Sequence, residues 1–202
     1  MTERPRPPAR PDTLIVMALQ IEAQGLFERG GVPVLFTGLG KVNAALSLMR
    51  ALGEYRCDGS RLPLVLNFGT AGSHSLPTGS LVACREFVQR DMDVSGIGYP
   101  LGVTPFEDVP TKLEFPAVFA GLPAALCGSG DSFQTGVAKL HCDVIDMEAY
   151  ALAKVCHLEG AGFGCAKYIT DGADVGAAGD WQQNLPRAAA AFWQLYQRHC
   201  GG

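Results

Sequence analysis

Short apolar runs that alternate with helix-patterned segments along the whole length constrain this chain most. Leu14–Ala18 and Val34–Thr37 read as strands, with Ile21–Phe27 between them as a short helix opening. Lys41–Leu52 reads as a helix whose apolar positions are Val42, Ala45, Leu46 and Met49. Leu64–Phe68, Leu81–Gln89 and Ala124–Cys127 follow as strands; Asp143–Asp146 leads into a helix over Glu148–Leu158, and Gly164–Ile169 is a further strand. Pro186–Arg198 closes the chain as a helix, with the proline at a sterically permitted first-turn position. Such alternation predicts an α/β fold, a three-layer sandwich around a mixed, largely parallel central sheet. Ligands of such sheets bind beyond the carboxyl ends of strands, where Gly69–Gly72, Ser129–Phe133 and Thr170–Asp171 fall.

Bulk properties narrow the class. With 202 residues, 48% apolar and 18% charged, the chain can bury a sizeable core. Residues 1–12, with arginines interleaved among prolines, read as a flexible tail without the apolar stretch of a secretory signal, and residues 13–202 as one domain. A net charge of −4 argues against a nucleic-acid binder, and no apolar run approaches a membrane span. The seven cysteines include no Cys-x-x-Cys pair, and the four histidines show no metal-ligand spacing. Neither disulfides nor a metal site are therefore expected, and the cytoplasm is the natural compartment.

Three segments carry candidate chemistry. In Val144–Ala153 a carboxylate, Glu148, stands at the mouth of an almost wholly apolar helix, with Lys154 the one basic residue nearby in sequence. A buried carboxylate is costly without a partner, so either a polar ligand such as a sugar diol meets it or it caps the helix start. In Leu64–Gly72 an apolar run ends in Gly69-Thr-Ala-Gly, small residues that either admit a ligand against the backbone or turn the chain. In Gly164–Asp174 a second apolar run ends in Thr170-Asp171, where Asp171 is either a turn aspartate or a catalytic acid.

Taken together, Asn67-Phe-Gly-Thr-Ala-Gly, Asp146-Met-Glu-Ala and Ile169-Thr-Asp-Gly-Ala-Asp occur in the order and spacing of the nucleoside phosphorylase/nucleosidase superfamily. Met17-Ala-Leu-Gln-Ile-Glu, Thr37-Gly-Leu-Gly-Lys-Val-Asn-Ala-Ala and Gly128-Ser-Gly-Asp-Ser-Phe extend the match. Within that superfamily the chain most resembles the 5'-methylthioadenosine/S-adenosylhomocysteine nucleosidases, from about Leu14 to about Tyr196. The resemblance implies hydrolysis of a purine N-glycosidic bond without a cofactor, usually by a homodimer. It assigns Asp171 to protonating the base, Glu148 to the ribose hydroxyls and Glu22 to the attacking water. Thr70 would lie near that water and Met147 beneath the sugar, with Ala71, Gly72 and Ile145 also binding the substrate. Phe133 and Gln134 would hold the base, and Leu19 and Leu39 the apolar 5' side. To protonate a base near neutral pH, an acid in the Asp171 role needs surroundings that raise its pKa.

Phosphate-using relatives place an arginine where this chain has Asn67, so water is the expected nucleophile; Arg85, Arg90 and Lys41 fall off the phosphate pattern. The alternatives are a phosphate-dependent phosphorylase, a futalosine hydrolase, a non-catalytic nucleoside-binding protein, and a structural domain whose acids are caps. The last predicts that Glu22, Glu148 and Asp171 lie apart. The Gly- and Pro-rich segment 90–108 is expected to serve as a lid or a subunit interface.

Overall fold

The structure, a computed structural model, describes residues 11–132, 139–173 and 177–200. Strand β1 (Thr13–Met17) leads through two short helices, α1 (Gln20–Ala23) and α2 (Leu26–Arg29), to β2 (Val34–Phe36) and helix α3 (Lys41–Cys57). Strands β3 (Leu64–Gly72), β4 (Leu81–Gln89), β5 (Lys112–Glu114), β6 (Ala124–Ser129) and β7 (Val144–Asp146) follow. Helix α4 (Ala149–Glu159), strand β8 (Phe163–Asp171) and helix α5 (Ala177–Cys200) complete the described fold. The bilayer of helices about a sheet predicted from the alternation is present.

The sheet is mixed. β1 runs parallel to β2 and β3, β3 to β8, and β6 to both β4 and β7. The antiparallel contacts are β4 with β5 and β8, and β7 with β3 through Gly72 and Ile145. Because β8 bonds both β3 and β4, the ladders β3-β8-β4-β6-β7 return to β3 and form a closed circuit. Every residue of β8 is buried, as expected of a strand covered on both faces.

Each face of the sheet packs against its own apolar cluster. On one face Leu48 and Leu52 of α3 meet Leu152 and Cys156 of α4 over Val65, Phe87 and Phe163. On the other, Phe27 and Phe68 lie with ring centroids 5.9 Å apart, and Phe68 stacks on Phe192 of α5 at 5.6 Å. Burying each such ring contributes roughly 2–3 kcal/mol. These contacts seat α1, α2 and α5 on one layer, above the carboxyl end of β3.

Several sequence expectations change. In α3 the buried residues are Ala44, Leu48, Leu52 and Tyr55, whereas Val42 is 76% exposed, Leu46 47% and Met49 41%. The helix carries two apolar stripes at helical spacing, and the sheet takes the one that periodicity did not select. Gly69–Gly72 and Thr170–Asp171 lie within β3 and β8, whose pairing shifts register between Ala71 and Gly72, rather than beyond the strand ends. Helix α5 starts at Ala177, so Pro186 lies in its interior, where proline has no N–H for the carbonyl four residues back. The apolar face of α5, Leu185, Ala188, Ala189, Phe192 and Leu195, holds the helix through that defect. Among the described residues no helix is long and apolar enough to cross a membrane.

Candidate active site

A cavity of about 330 Å³ opens at the carboxyl ends of β3, β7 and β8. Glu22, Glu148 and Asp171 all line it, together with Thr70, Ala71, Gly72, Ile145, Met147, Leu19 and Leu39. Phe133 and Gln134, along with residues 1–10, lie outside the described residues. Convergence of the three carboxylates is the opposite of what a structural domain with scattered caps requires.

Glu22 sits in α1 and is buried. Its Oε1 accepts the Thr70 backbone N–H and the Thr70 hydroxyl, each at 2.8 Å, and its Oε2 accepts the Leu19 N–H at 3.1 Å. Together these bonds fix the carboxylate plane. The neighbouring Gly69 is required sterically: a Cβ there would stand 2.8 Å from Lys167 Nζ and 3.7 Å from Glu22 Oε1.

Glu148 occupies the N-cap position of α4, yet its side chain makes no capping bond. It reaches across to accept the Gly40 N–H at 2.8 Å instead. Gly40, at φ +92°, adopts a backbone that a side chain would strain, and so presents that N–H from the start of α3. Burial pushes the Glu148 carboxyl up to about 7, aided by the charges of Asp146 and Glu22 and opposed by Lys167 and the Gly40 N–H. Lys154, its basic neighbour in sequence, pairs with Glu107.

The cap of α4 is Asp146, whose Oδ2 accepts the Ala149 N–H at 2.8 Å. The same oxygen lies 2.8 Å from Lys167 Nζ, and Ser129 donates its hydroxyl to Oδ1. Burial raises the Asp146 pKa, but Lys167 and these donors outweigh it and hold the carboxyl below its ordinary value. Burial likewise opposes charge on Lys167, and Asp146 beside it keeps the ammonium protonated.

Asp171 ends β8, buried, with Oδ2 accepting the Thr170 hydroxyl at 2.7 Å and Oδ1 accepting the Ala173 N–H at 3.0 Å. The second bond is a turn contact, so Asp171 shapes the local turn and also faces the cavity.

Sequence reasoning missed two residues here. Trp181 of α5 lines the cavity and donates its indole N–H to Thr70 Oγ1 at 2.9 Å. Lys167 lies buried beneath Gly69, paired with Asp146. A lone lysine inside the apolar run Phe163–Asp171 was a visible signal for the latter; Trp181, seven residues past the last motif residue, carried none.

No lysine or arginine is among the described residues lining the cavity. Asn67 is buried, donating to the Val16 carbonyl at 3.1 Å. Lys41 is held by Asp91 at 2.7 Å and Asp131 at 3.0 Å. Arg90 donates to the Gly130 carbonyl at 3.3 Å, and Arg85 stands on a separate polar depression with Glu86 and Glu114. None of the residues of segment 90–108 lines the cavity of its own chain; Phe106 is 94% exposed, edge-on to Tyr99 at 5.8 Å.

Comparison with known proteins agrees with this geometry. A 5'-methylthioadenosine/S-adenosylhomocysteine nucleosidase of Actinobacillus succinogenes is 32% identical over 178 residues, covering 78% of this chain and 75% of the relative. That of Anoxybacillus flavithermus is 29% identical over 194 residues, covering 86% and 82%. Among solved structures, the Helicobacter pylori nucleosidase of the same name superposes with a TM-score of 0.80 at 21% identity, over 94% of this chain and 97% of that one. Futalosine hydrolase of Helicobacter pylori gives 0.79 at 21%, over 92% and 95%. At that identity the two structures establish the shared fold. The phosphorylase superfamily profile matches residues 22–198, a span holding all four cavity carboxylates, and the chain belongs to that superfamily.

Proposed function

We propose that this chain hydrolyses the N-glycosidic bond of a purine nucleoside, 5'-methylthioadenosine, S-adenosylhomocysteine or a related 5'-modified nucleoside. The observation that carries this reading is one apolar-walled cavity with four carboxylates, Glu22, Asp146, Glu148 and Asp171, and, among its described lining residues, no cation. Phosphate brings about two negative charges, and burying it among carboxylates without a cation is prohibitive. Water has no such requirement.

The reaction then proceeds as follows. Asp171 gives its proton to N7 of the base, and the electron pair of the C–N bond leaves with the base. Glu148, ionised, accepts the ribose hydroxyls and favours the positive charge that develops on the ring. Water bonds to the anomeric carbon and passes a proton to Glu22, whose orientation Thr70 and Leu19 fix. Met147 packs against the sugar, Ile145, Ala71 and Gly72 line the cavity beside it, and Leu19 and Leu39 take the 5' substituent. The family resemblance assigns the base to Phe133 and Gln134, which lie outside the described residues. No cofactor enters the scheme.

The same reading includes a homodimer in the cytoplasm, with residues 13–202 as one unit. Val42, Leu46 and Met49 form an exposed apolar stripe on α3, next to Leu39 at the cavity mouth. A second copy covers that stripe and meets the exposed Ile97 and Phe106. Light scattering of the purified chain checks this directly.

The decisive experiment is base release from methylthioadenosine, S-adenosylhomocysteine, 5'-deoxyadenosine, adenosine, inosine and futalosine, with and without phosphate. Free base and free sugar, independent of phosphate, are expected, and Asp171→Asn should lower kcat by about a thousandfold. Sugar 1-phosphate formed only with phosphate would refute the hydrolase, and no turnover at all would leave a binding protein.

A further inference from the structure

The Glu22 end of the cavity contains a donor relay. An indole nitrogen only donates. The Trp181 Nε1–H, 2.9 Å from Thr70 Oγ1, therefore makes that oxygen an acceptor and leaves its own proton to go elsewhere. Glu22 Oε1 lies 2.8 Å from the same hydroxyl and, as a carboxylate oxygen, can only accept. The chain of donation runs one way, from Trp181 to Thr70 to Glu22. Bonds in such a chain polarise one another, and a hydroxyl that would otherwise rotate has a single direction.

The helix that bears Trp181 is itself tied to the strand bearing the acid. Asn184, one turn further along α5, donates its amide to the carbonyls of Thr170 and Asp180, each at 3.0 Å. Thr170 in turn donates its hydroxyl to Asp171. The first turns of α5 thus connect to Glu22 on one side and to the Asp171 strand on the other.

We propose that Trp181 is a positioning residue for the nucleophile. Acting through the Thr70 hydroxyl, its indole N–H commits the Thr70 proton to Glu22 Oε1 and so fixes which part of the carboxylate takes a proton from water. This rests on the hydrolase reading of the site. Trp181 touches neither the reacting carbon nor the departing base in this role; its effect passes through Thr70.

The test compares Trp181→Phe with the wild type in steady-state kinetics, each in the native and the Thr70→Val background. Trp181→Phe should lower kcat about tenfold with KM little changed, and should cost nothing further once Thr70 is valine. Site-specific replacement of Trp181 by 3-benzothienylalanine, which keeps the ring shape but has sulfur in place of N–H, should reproduce the loss without leaving a void. Unchanged kcat in both replacements overturns the proposal, and so does an equal loss in both Thr70 backgrounds, because packing alone would produce it.

An independent readout needs no turnover. The chain has 2 tryptophans, so its two indole N–H resonances can be assigned by Trp193→Phe. Thr70→Val should move the Trp181 resonance upfield and speed its exchange. A resonance that ignores Thr70 overturns the relay whatever the reaction. A responsive resonance in a chain that releases no base from any nucleoside overturns the hydrolase reading, and the nucleophile role with it, while leaving the contact intact.

Discussion

Asp146 and Glu148 are two residues apart, both buried, and both acidic, yet they stand in opposite electrostatic situations. Asp146 meets the Lys167 ammonium at 2.8 Å, the Ser129 hydroxyl and the first N–H of α4, and its pKa is held down. Glu148 accepts the Gly40 N–H, and among the described residues that is its one donor; burial pushes it up to about 7. The first is a completed structural pair; the second is a carboxylate held ready for a partner that the described residues do not supply. A charge kept buried with most of its hydrogen-bonding capacity unspent is the physical mark of a binding group.

Four measurements sharpen or break this contrast, beginning with the largest effect. Glu148→Gln should lower kcat/KM by about a thousandfold, since it removes the charge opposite the developing cation. The same variant should be more stable than wild type at pH 8. The Glu148 pKa is about 7 in the fold against an ordinary 4.5, so the folded chain binds the proton more tightly. That contribution is complete below about pH 4.5 and is lost as pH rises through 7, leaving ionised Glu148 costly by ~3 kcal/mol. Urea titrations of both proteins at pH 5 and pH 8 check the sign, and a destabilised glutamine variant at pH 8 would remove Glu148 from the binding role argued here.

Lys167→Met should have a comparably large effect of opposite character. It leaves Asp146 buried without its cation, at a cost of about 3–5 kcal/mol, and the double variant Lys167→Met, Asp146→Asn should recover much of it. Failure of the double variant to recover would mean that the pair serves more than its own neutralisation. The third effect is on pH: kcat/KM should show an acidic limb near pH 7 and a fall of about tenfold per unit below it, as Glu148 protonates. Absence of that limb in a hydrolysing enzyme would place Glu148 outside the rate-determining interactions. The smallest is Gly69→Ala, where a methyl 2.8 Å from Lys167 Nζ should cost about 1–3 kcal/mol by displacing the ammonium from Asp146.

Much of the site could be read from the sequence because strand termini concentrate it. Glu148, Asp171 and Thr70 sit where apolar runs stop, and a polar residue at such a point is conspicuous. The layer order and the parallel ladders followed from alternation alone. The side of α3 that faces the sheet did not, because Val42, Leu46 and Met49 are as helically spaced as Ala44, Leu48 and Leu52. Periodicity reports that a stripe exists, whereas the sheet position decides which stripe is covered. The start of α5 was equally hidden, since Pro186 reads as a first-turn residue and the alanine- and glycine-rich turn before it carries no amphipathic signal. With that start went Trp181. The segment 90–108 retained apolar residues in a loop, which indicated contact; the structure leaves Phe106 exposed and outside the cavity lining.

The ring formed by β3, β8, β4, β6 and β7 bears on how this enzyme can change. In an open sheet one strand can slip against its neighbour and carry its side chains with it. In a loop of ladders that returns to its start, a slip at any junction must be absorbed by every other junction. Thr70, Asp146 and Asp171 are on that loop, so their spacing is a property of the topology and is insulated from substitutions elsewhere. Glu22, Leu39, Gly40 and Trp181 belong to helices and connections outside it. New substrate preferences can therefore be acquired by editing those outer pieces, while the reacting groups keep their distances.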